Sequence, residues 1–192
     1  PHVAGGSALV LQRLDEDFNL AGSDRVEMAK NILMNTSEPQ EDTGLYNNAY
    51  QPGLAFSPRR QGAGLMDLHA AMKTPAIVTE KETGLGKVAL KEMNDKESFT
   101  LTVENFSDEN AVYNVSGTVQ TDLVSEGENL VETQGIYKDG TISEEAPYTG
   151  EFPIEITSSN GSNVEGEYQV LVPAGSSVDL DVTVNLSEGI DW

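Results

Sequence analysis

The chain has 192 residues, no cysteine, and 32 acidic against 11 basic side chains, for a net charge of −21. Length allows one or two domains with a real core, while the missing cysteines exclude disulfides and thiolate metal sites. So acidic a surface repels phosphate backbones and anionic membranes, which excludes nucleic acid as a partner.

Residues 1–14, PHVAGGSALVLQRL, read as a buried helix. Pro1 suits a first helical turn, and Val3, Val10, Leu11 and Leu14 recur near helical spacing with no charge before Arg13. The run Ala4-Gly5-Gly6-Ser7-Ala8 costs helix propensity, so small residues there imply that another part of the chain packs very close. Asp15-Glu16-Asp17 and Ala21-Gly22 end the pattern. Asp24 stands three residues before Glu27, the spacing of a capping box, and opens a second helix with Val26, Ala29 and Leu33 on one face and Met28 and Ile32 beside it. Asn35-Thr36-Ser37 and Pro39 stop that helix, and the polar residues 37–61 read as a long surface loop containing Pro58. In Gln61 to Met72, Gly62 and Gly64 allow a tight approach, and Leu65, Leu68 and Met72 give a short helix its apolar face.

Two of these stretches carry a resemblance. Pro1-His2-Val3-Ala4-Gly5 resembles the end of the subtilisin-family signature G-T-S-M-A-[ST]-P-H-V-A-G, whose Ser is the nucleophile four residues before the Pro. Gly62, Gly64, Leu65, Asp67, Ala70 and Ala71 are similar in order to the G-x-G-[LI]-[IV]-[DN]-[ALV]-x-x-A segment that closes the catalytic domain of that family. The resemblance implies that residues 1–75 are the C-terminal part of a subtilisin-like catalytic domain without its serine, histidine, aspartate or oxyanion-hole asparagine. No catalytic, cofactor-binding or metal residue is therefore assigned, and the chain alone is expected to be inactive.

Pro75 and a change of period mark a boundary near residues 73–76. Beyond it apolar residues alternate by two, as strands do: Val88 and Leu90; Phe99, Leu101 and Val103; Tyr113, Val115 and Val119; Ile154 and Ile156; Tyr168, Val170 and Val172; and Val178 through Leu186. Asn94-Asp95, Asn105 to Asn110, Asp139-Gly140, Asn160-Gly161 and Pro173-Ala174-Gly175 supply the turns, and residues 122–150, acidic and glycine-rich, read as a long excursion or a poorly ordered loop. Six or seven short strands without intervening helices indicate an antiparallel β-sandwich. Residues 99–105, 113–115 and 172–186 resemble the fibronectin type III-like domain that follows the catalytic domain in Gram-positive cell-envelope (lactocepin-like) subtilases. That family adds a further strand where this chain ends at Ile190-Asp191-Trp192, so the sandwich of residues 76–192 is expected to lack its last strand and to expose an edge.

The fold class expected is thus α+β by segment: a helical remnant of an α/β subtilisin-type domain, then an antiparallel sandwich. The function implied is that of a fragment of an extracellular, secreted or cell-wall-associated subtilisin-like serine endopeptidase. Its partners would be the remainder of the catalytic domain and, in the parent, protein or peptide substrates, with self-association through exposed apolar helices or a sheet edge. The alternative is a non-catalytic acidic β-sandwich serving binding or adhesion. No apolar run approaches the roughly 18 residues of a membrane span.

The remaining chemistry-bearing residues read as structural. His2 and His69 lack zinc spacing, and Ser7 has no base beside it in sequence. Arg59-Arg60, the one adjacent basic pair, suits a trypsin-like cleavage point or a salt bridge. Asp15-Glu16-Asp17 and the pair Asp179/Asp181 suit a solvated surface, with calcium as the rival reading, so no cofactor is expected. Gly84-Leu85-Gly86 lacks the third glycine of a phosphate loop, and the N-x-[ST] sequons at Asn35, Asn105, Asn114, Asn160 and Asn185 fall in turns by chance.

Overall fold

The computed structural model describes residues 2–41, 55–56, 58–92, 94–124, 131–138, 141–142 and 154–185, with the backbone alone over 119–142. Pro1, most of the 37–61 loop, Asp139-Gly140 and Leu186 onward lie outside the described residues.

Four helices come first: α1 (His2–Glu16), α2 (Gly22–Asn35), α3 (Pro58–Gln61) and α4 (Leu68–Lys73). In α1 the buried residues are Gly6, Val10 and Leu14, one every four positions, which makes a narrow stripe. Val3 falls off that stripe and is 65% exposed, so it is not a core residue. Close packing holds at Gly6, where a Cβ would come 2.8 Å from Met66 Cε, but Gly5 faces open space. The capping box expected at Asp24 and Glu27 does not form. The helix starts three residues earlier, at Gly22, with Ala21 as a cap that has no side-chain acceptor, and Asp24 sits in the first turn. That earlier start leaves Asp24 able to favour the helix dipole but not to cap it. The buried face of α2 is Ala29, Asn31 and Ile32 instead of Val26, Ala29 and Leu33.

Pro58, expected within a loop, opens the one-turn helix α3. Asp67 caps α4 by accepting from the Ala70 N–H at 2.9 Å. Leu65 and Met72, expected on its apolar face, are exposed, and Ala71 is the buried residue. Gly64 has φ of +122°, and a Cβ there would strike the Glu38 carbonyl oxygen. That space lets Glu38 and Leu65 exchange two backbone hydrogen bonds of 2.8 Å, joining the end of α2 to the approach to α4.

Ten strands follow among the described residues: β1 (Ala76–Glu80), β2 (Lys96–Asn105), β3 (Ala111–Val115), β4 (Thr118–Val124), β5 (Val131–Lys138), β6 (Thr141–Ile142), β7 (Ile154–Thr157), β8 (Gly161–Val164), β9 (Glu167–Val172) and β10 (Ser177–Asn185). They form antiparallel sheets in the orders β1-β2-β10-β7, β3-β9-β8 and β4-β5-β6. The first two face each other as a sandwich whose shared core is Val103, Val170, Val172, Val178 and Leu180. Alternation in β10 is as expected: Val178, Leu180 and Val182 are buried, whereas Asp181 is exposed.

Several expectations need correction. Val88 and Leu90 alternate but form no strand. Val119 belongs to β4, separate from the strand holding Tyr113 and Val115. The supposed excursion at 122–150 supplies β5, β6 and part of β4, because backbone pairing needs no apolar alternation. The short strands β1 and β8 had no alternating signature, and together with β4, β5 and β6 they raise the strand count above the six or seven expected.

A second core joins helices to sheet: Val10, Leu14, Ala29, Ile32 and Ala71 pack with Ile77 of β1, and Phe18 and Phe106 sit at its margin. Part of the cover needed by the apolar faces of residues 1–72 therefore comes from this chain's own first strand. Leu14 and Ile32 are fully buried, each contributing roughly 2–3 kcal/mol of apolar transfer energy.

Candidate functional site

The densest polar construction lies where the helices meet the sandwich. The Arg13 side chain, only 10% exposed, donates from its two terminal nitrogens to the Ala71 carbonyl (2.6 Å) and the Thr74 carbonyl (2.8 Å). A guanidinium at the C-terminal end of α4 satisfies carbonyls that the helix leaves unpaired and meets the negative end of its dipole. The same group lies 5.4 Å from the Phe18 ring, and Phe18 packs edge-on against Phe106 at 5.2 Å.

Two asparagines one turn apart on α2 close the other side. Asn31 accepts from the Gly86 N–H and donates to the Gly84 carbonyl, both at 2.8 Å. Asn35 accepts from the Val78 N–H at 2.5 Å. An edge strand offers unpaired N–H groups that invite another chain. Here α2 takes one such group of β1, and the turn after β1 takes another, since Glu80 N–H donates to the Leu85 carbonyl at 2.8 Å. Sequence reasoning gave no role to Asn31; its signal was an asparagine four residues from Asn35 on a helix that otherwise needs apolar residues there.

Asn105 performs a similar task inside the sandwich. It is 1% exposed, donates to the Glu109 (2.8 Å) and Val172 (3.1 Å) carbonyls, and accepts from the Ser107 N–H (3.0 Å) and hydroxyl (2.8 Å). It thereby ties the end of β2 to the end of β9. Tyr113 is buried enough beside this core that loss of water pushes its phenol pKa up.

The outer face of β2 and β10 is a polar shelf. Ser98 and Thr183 share a hydrogen bond of 2.9 Å, Thr100 donates to Asp181 at 2.8 Å, and Thr102 donates to Asp179 at 2.9 Å. Lys81 reaches Asp179 at 2.6 Å, which raises the ammonium pKa and, with the Thr102 bond, holds the Asp179 carboxyl below its ordinary value. Glu80 is likewise lowered, by the Thr83 side chain and then by the Glu82 and Thr83 N–H groups. A shallow cavity of about 400 Å³ opens here, with Lys81, Glu82, Thr100 and Asp181 on its walls. Of the carboxylates on its walls, Asp181 accepts from the Thr100 hydroxyl and Glu80 from the Glu82 and Thr83 N–H groups, which makes a cross-strand-paired surface and, among the described residues, no nucleophile–base pair.

The residues singled out in the sequence do not converge. His2 and His69 are exposed, and Ser7 is half-buried within α1. Asp15 faces Arg25 at 3.4 Å and Asp17 faces Arg13 at 3.7 Å. Arg59 and Arg60 are exposed on α3, with Arg60 5.8 Å from the Phe56 ring. Gly84-Leu85-Gly86 is the turn that Asn31 holds. Of the sequon asparagines, Asn105 is buried, Asn114 donates to Glu167 at 2.6 Å and Asn160 donates to the Leu171 carbonyl at 3.2 Å. Among the described residues no three His, Asp or Glu side chains cluster as metal ligands, and no helix is long and apolar enough to cross a membrane.

Comparison with known proteins adds identity to this geometry. Residues 88–191 match the profile of the Fn3-like domain family. The chain is 33% identical over 139 residues to a C5a peptidase of Streptococcus pyogenes serotype M3, covering 72% of this chain and 11% of that protein. It is 28% identical over 204 residues to a PI-type proteinase of Lactococcus lactis subsp. cremoris, covering 100% of this chain and 9% of that protein. The chain thus spans about a tenth of the length of these relatives. Both are peptidases by name, in agreement with the cell-envelope proteinase group that the sequence motifs resemble.

Proposed function

This chain belongs to the Fn3-like domain family, and on that premise we propose that it is a structural piece of an extracellular, secreted or cell-wall-associated subtilisin-like serine endopeptidase. Residues 1–75 supply closing helices of the catalytic domain, and residues 76–192 supply the Fn3-like sandwich that seats them. The observation that carries this reading is the shared core: Ile77 of the sandwich's first strand is buried among Val10, Leu14, Ile32 and Ala71 of the helices. The likeness to the lactococcal proteinase supports it, because it runs through the helices as well as the sandwich.

In the intact enzyme, α1 would stand behind the nucleophile, its N-terminal dipole and N–H groups directed toward the developing oxyanion. A base elsewhere in the parent would take the serine proton, and peptide or protein substrates would be cleaved there. The role of this chain is support: Arg13 ties α1 to the end of α4, while Asn35 and Asn31 tie α2 to β1 and to the turn after it, which together fix the direction of α1. No catalytic residue or cofactor is assigned to the chain itself.

The test is reconstitution. The purified chain, treated with a fluorophosphonate probe for activated serines, should remain unlabelled. A longer product of the same gene that includes the preceding residues should read G-T-S-M-A ahead of Pro1 and should label. Labelling of the short chain, or an unrelated sequence ahead of Pro1, would overturn the assignment.

A further inference from the structure

The chain has four arginines, at positions 13, 25, 59 and 60, and the fold treats them in two ways. Arg13 is 10% exposed, in the middle of the contacts that close α4. Arg25 lies within the fourteen-residue α2, with its Nε buried and its guanidinium beside Asp15. Arg59 and Arg60 are exposed, adjacent, and carried by the four-residue helix α3. An endopeptidase must draw several residues of backbone into an extended form, so cleavage follows the cost of local opening. α3 is a single turn, with Gly62 N–H donating to the Pro58 carbonyl at 2.8 Å, and so short a helix has little cooperative stability of its own. Opening at Arg13 or Arg25 requires loosening the helical core, to which α1 and α2 contribute Val10, Leu14, Ala29 and Ile32.

We propose that Arg59-Arg60 is a processing site for an arginine-specific endopeptidase, and that the processed chain persists as a two-piece complex. One water is consumed: the peptide C–N bond after Arg59 or Arg60 breaks, the arginine gains a carboxylate, and the next residue gains an ammonium group. Both pieces are then held by contacts that cross the cut. Glu38 and Leu65 keep their pair of backbone bonds, Arg13 keeps the Ala71 and Thr74 carbonyls, Asn35 keeps the Val78 N–H of β1, and Asn31 keeps the Gly84–Gly86 turn. Val10, Leu14 and Ile32 from the first piece stay buried against Ala71 and Ile77 of the second. The Gln61 side chain, accepting from Gln40 N–H at 2.8 Å and donating to the Phe56 carbonyl at 2.5 Å, bridges the ends beside the cut. This inference concerns the chain itself and stands whether or not the parent is a proteinase.

The experiment is limited digestion of the purified full chain with an arginine-specific cysteine endopeptidase, read by intact mass. The expected result is early conversion to residues 1–59 or 1–60 and the complementary piece, with Arg13 and Arg25 uncut. The two pieces should elute together at the volume of the intact chain and separate only in denaturant. Early cleavage after Arg13 or Arg25, or separation of the pieces in native buffer, would overturn the proposal. The double variant Arg59→Lys/Arg60→Lys keeps both charges and should lose this cleavage more than tenfold with an unchanged circular dichroism spectrum; undiminished cleavage would also overturn it. Heat-unfolded chain should be cut at all four arginines, whereas restriction to the pair there would mean that local sequence, not the fold, makes the choice.

Discussion

The two cores of this molecule are built on different principles. The sandwich core is made of valines and a leucine on alternating strand positions, each brought in by the same repeat that makes the strand. The helical core gathers one or two residues each from α1, α2, α4 and β1, and it is fastened by polar side chains (Arg13, Asn31 and Asn35) that satisfy backbone groups at the end of α4, in β1 and in the turn after it. The dependence runs one way: the helices borrow Ile77 and Phe106 from the sandwich, while the sandwich core takes no residue from the helices. A core made by a repeat is self-sufficient; one made by gathering needs a seat.

The sharpest way to break that contrast is to empty one core at a time. Leu180→Ala should cost about 3 kcal/mol and lower protection in both regions, whereas Ile32→Ala, at a similar cost, should loosen the helices alone. Both are read by urea denaturation with tryptophan-independent probes such as far-ultraviolet circular dichroism. Gly64→Ala adds a Cβ against the Glu38 carbonyl at a φ of +122°, which should cost on the order of 2–3 kcal/mol and detach the α2–α4 connection without touching the sandwich. Asn105→Ala acts inside the sandwich. It removes the partner of the buried Val172 carbonyl, and a loss of about 2 kcal/mol is expected in thermal unfolding.

The coupling between regions is measured by Phe18→Ala and Phe106→Ala with their double variant. An edge-to-face pair should give an interaction energy of about 1 kcal/mol, and a value of zero would mean that the rings are only neighbours.

The smallest effect is electrostatic. Asp179 is held below its ordinary value of 3.8, so its contribution is complete above that value and is lost as pH falls through the lowered folded value. Lys81 is held above its ordinary 10.5, so its share is complete below that value and is lost only as pH rises through the raised one. The pair is therefore in force across neutral pH. Asp179→Asn should flatten part of the decline in urea midpoint on the acid side and leave its Thr102 hydrogen bond in place; an unchanged acid slope would remove Asp179 from the account.

Legibility followed the same division. β10 could be read directly, because Val178, Leu180 and Val182 alternate with Asp179, Asp181 and Thr183 on a half-wetted sheet. The turn residues Pro173-Ala174-Gly175 and the tight approach at Gly64 also read correctly, each having a local conformational reason. β1 did not, since its two faces are both covered, Ile77 by the helices and Val78 by the sandwich core, and the strand shows no period of two. Val88 and Leu90 had the period without neighbours to pair with. β4, β5 and β6 carry few apolar residues, so composition suggested a loop where backbone pairing makes a sheet. The junction was hidden for another reason: Asn31, Asn35 and Arg13 act on groups about 40 to 60 positions away, and their residue types are ordinary for an exposed helix. Of these long-range polar ties, only the spacing of Asn31 and Asn35 left a local trace.

The central claim is that the sandwich seats the helices and does not depend on them. Native-state hydrogen exchange on Ile32→Ala tests it most directly. The expected result is faster exchange across α1 and α2, with the β10 amides from Val178 to Val184 as protected as in the parent chain. Equal loss of protection in β10 would contradict it, because helices and sandwich would then unfold as one body.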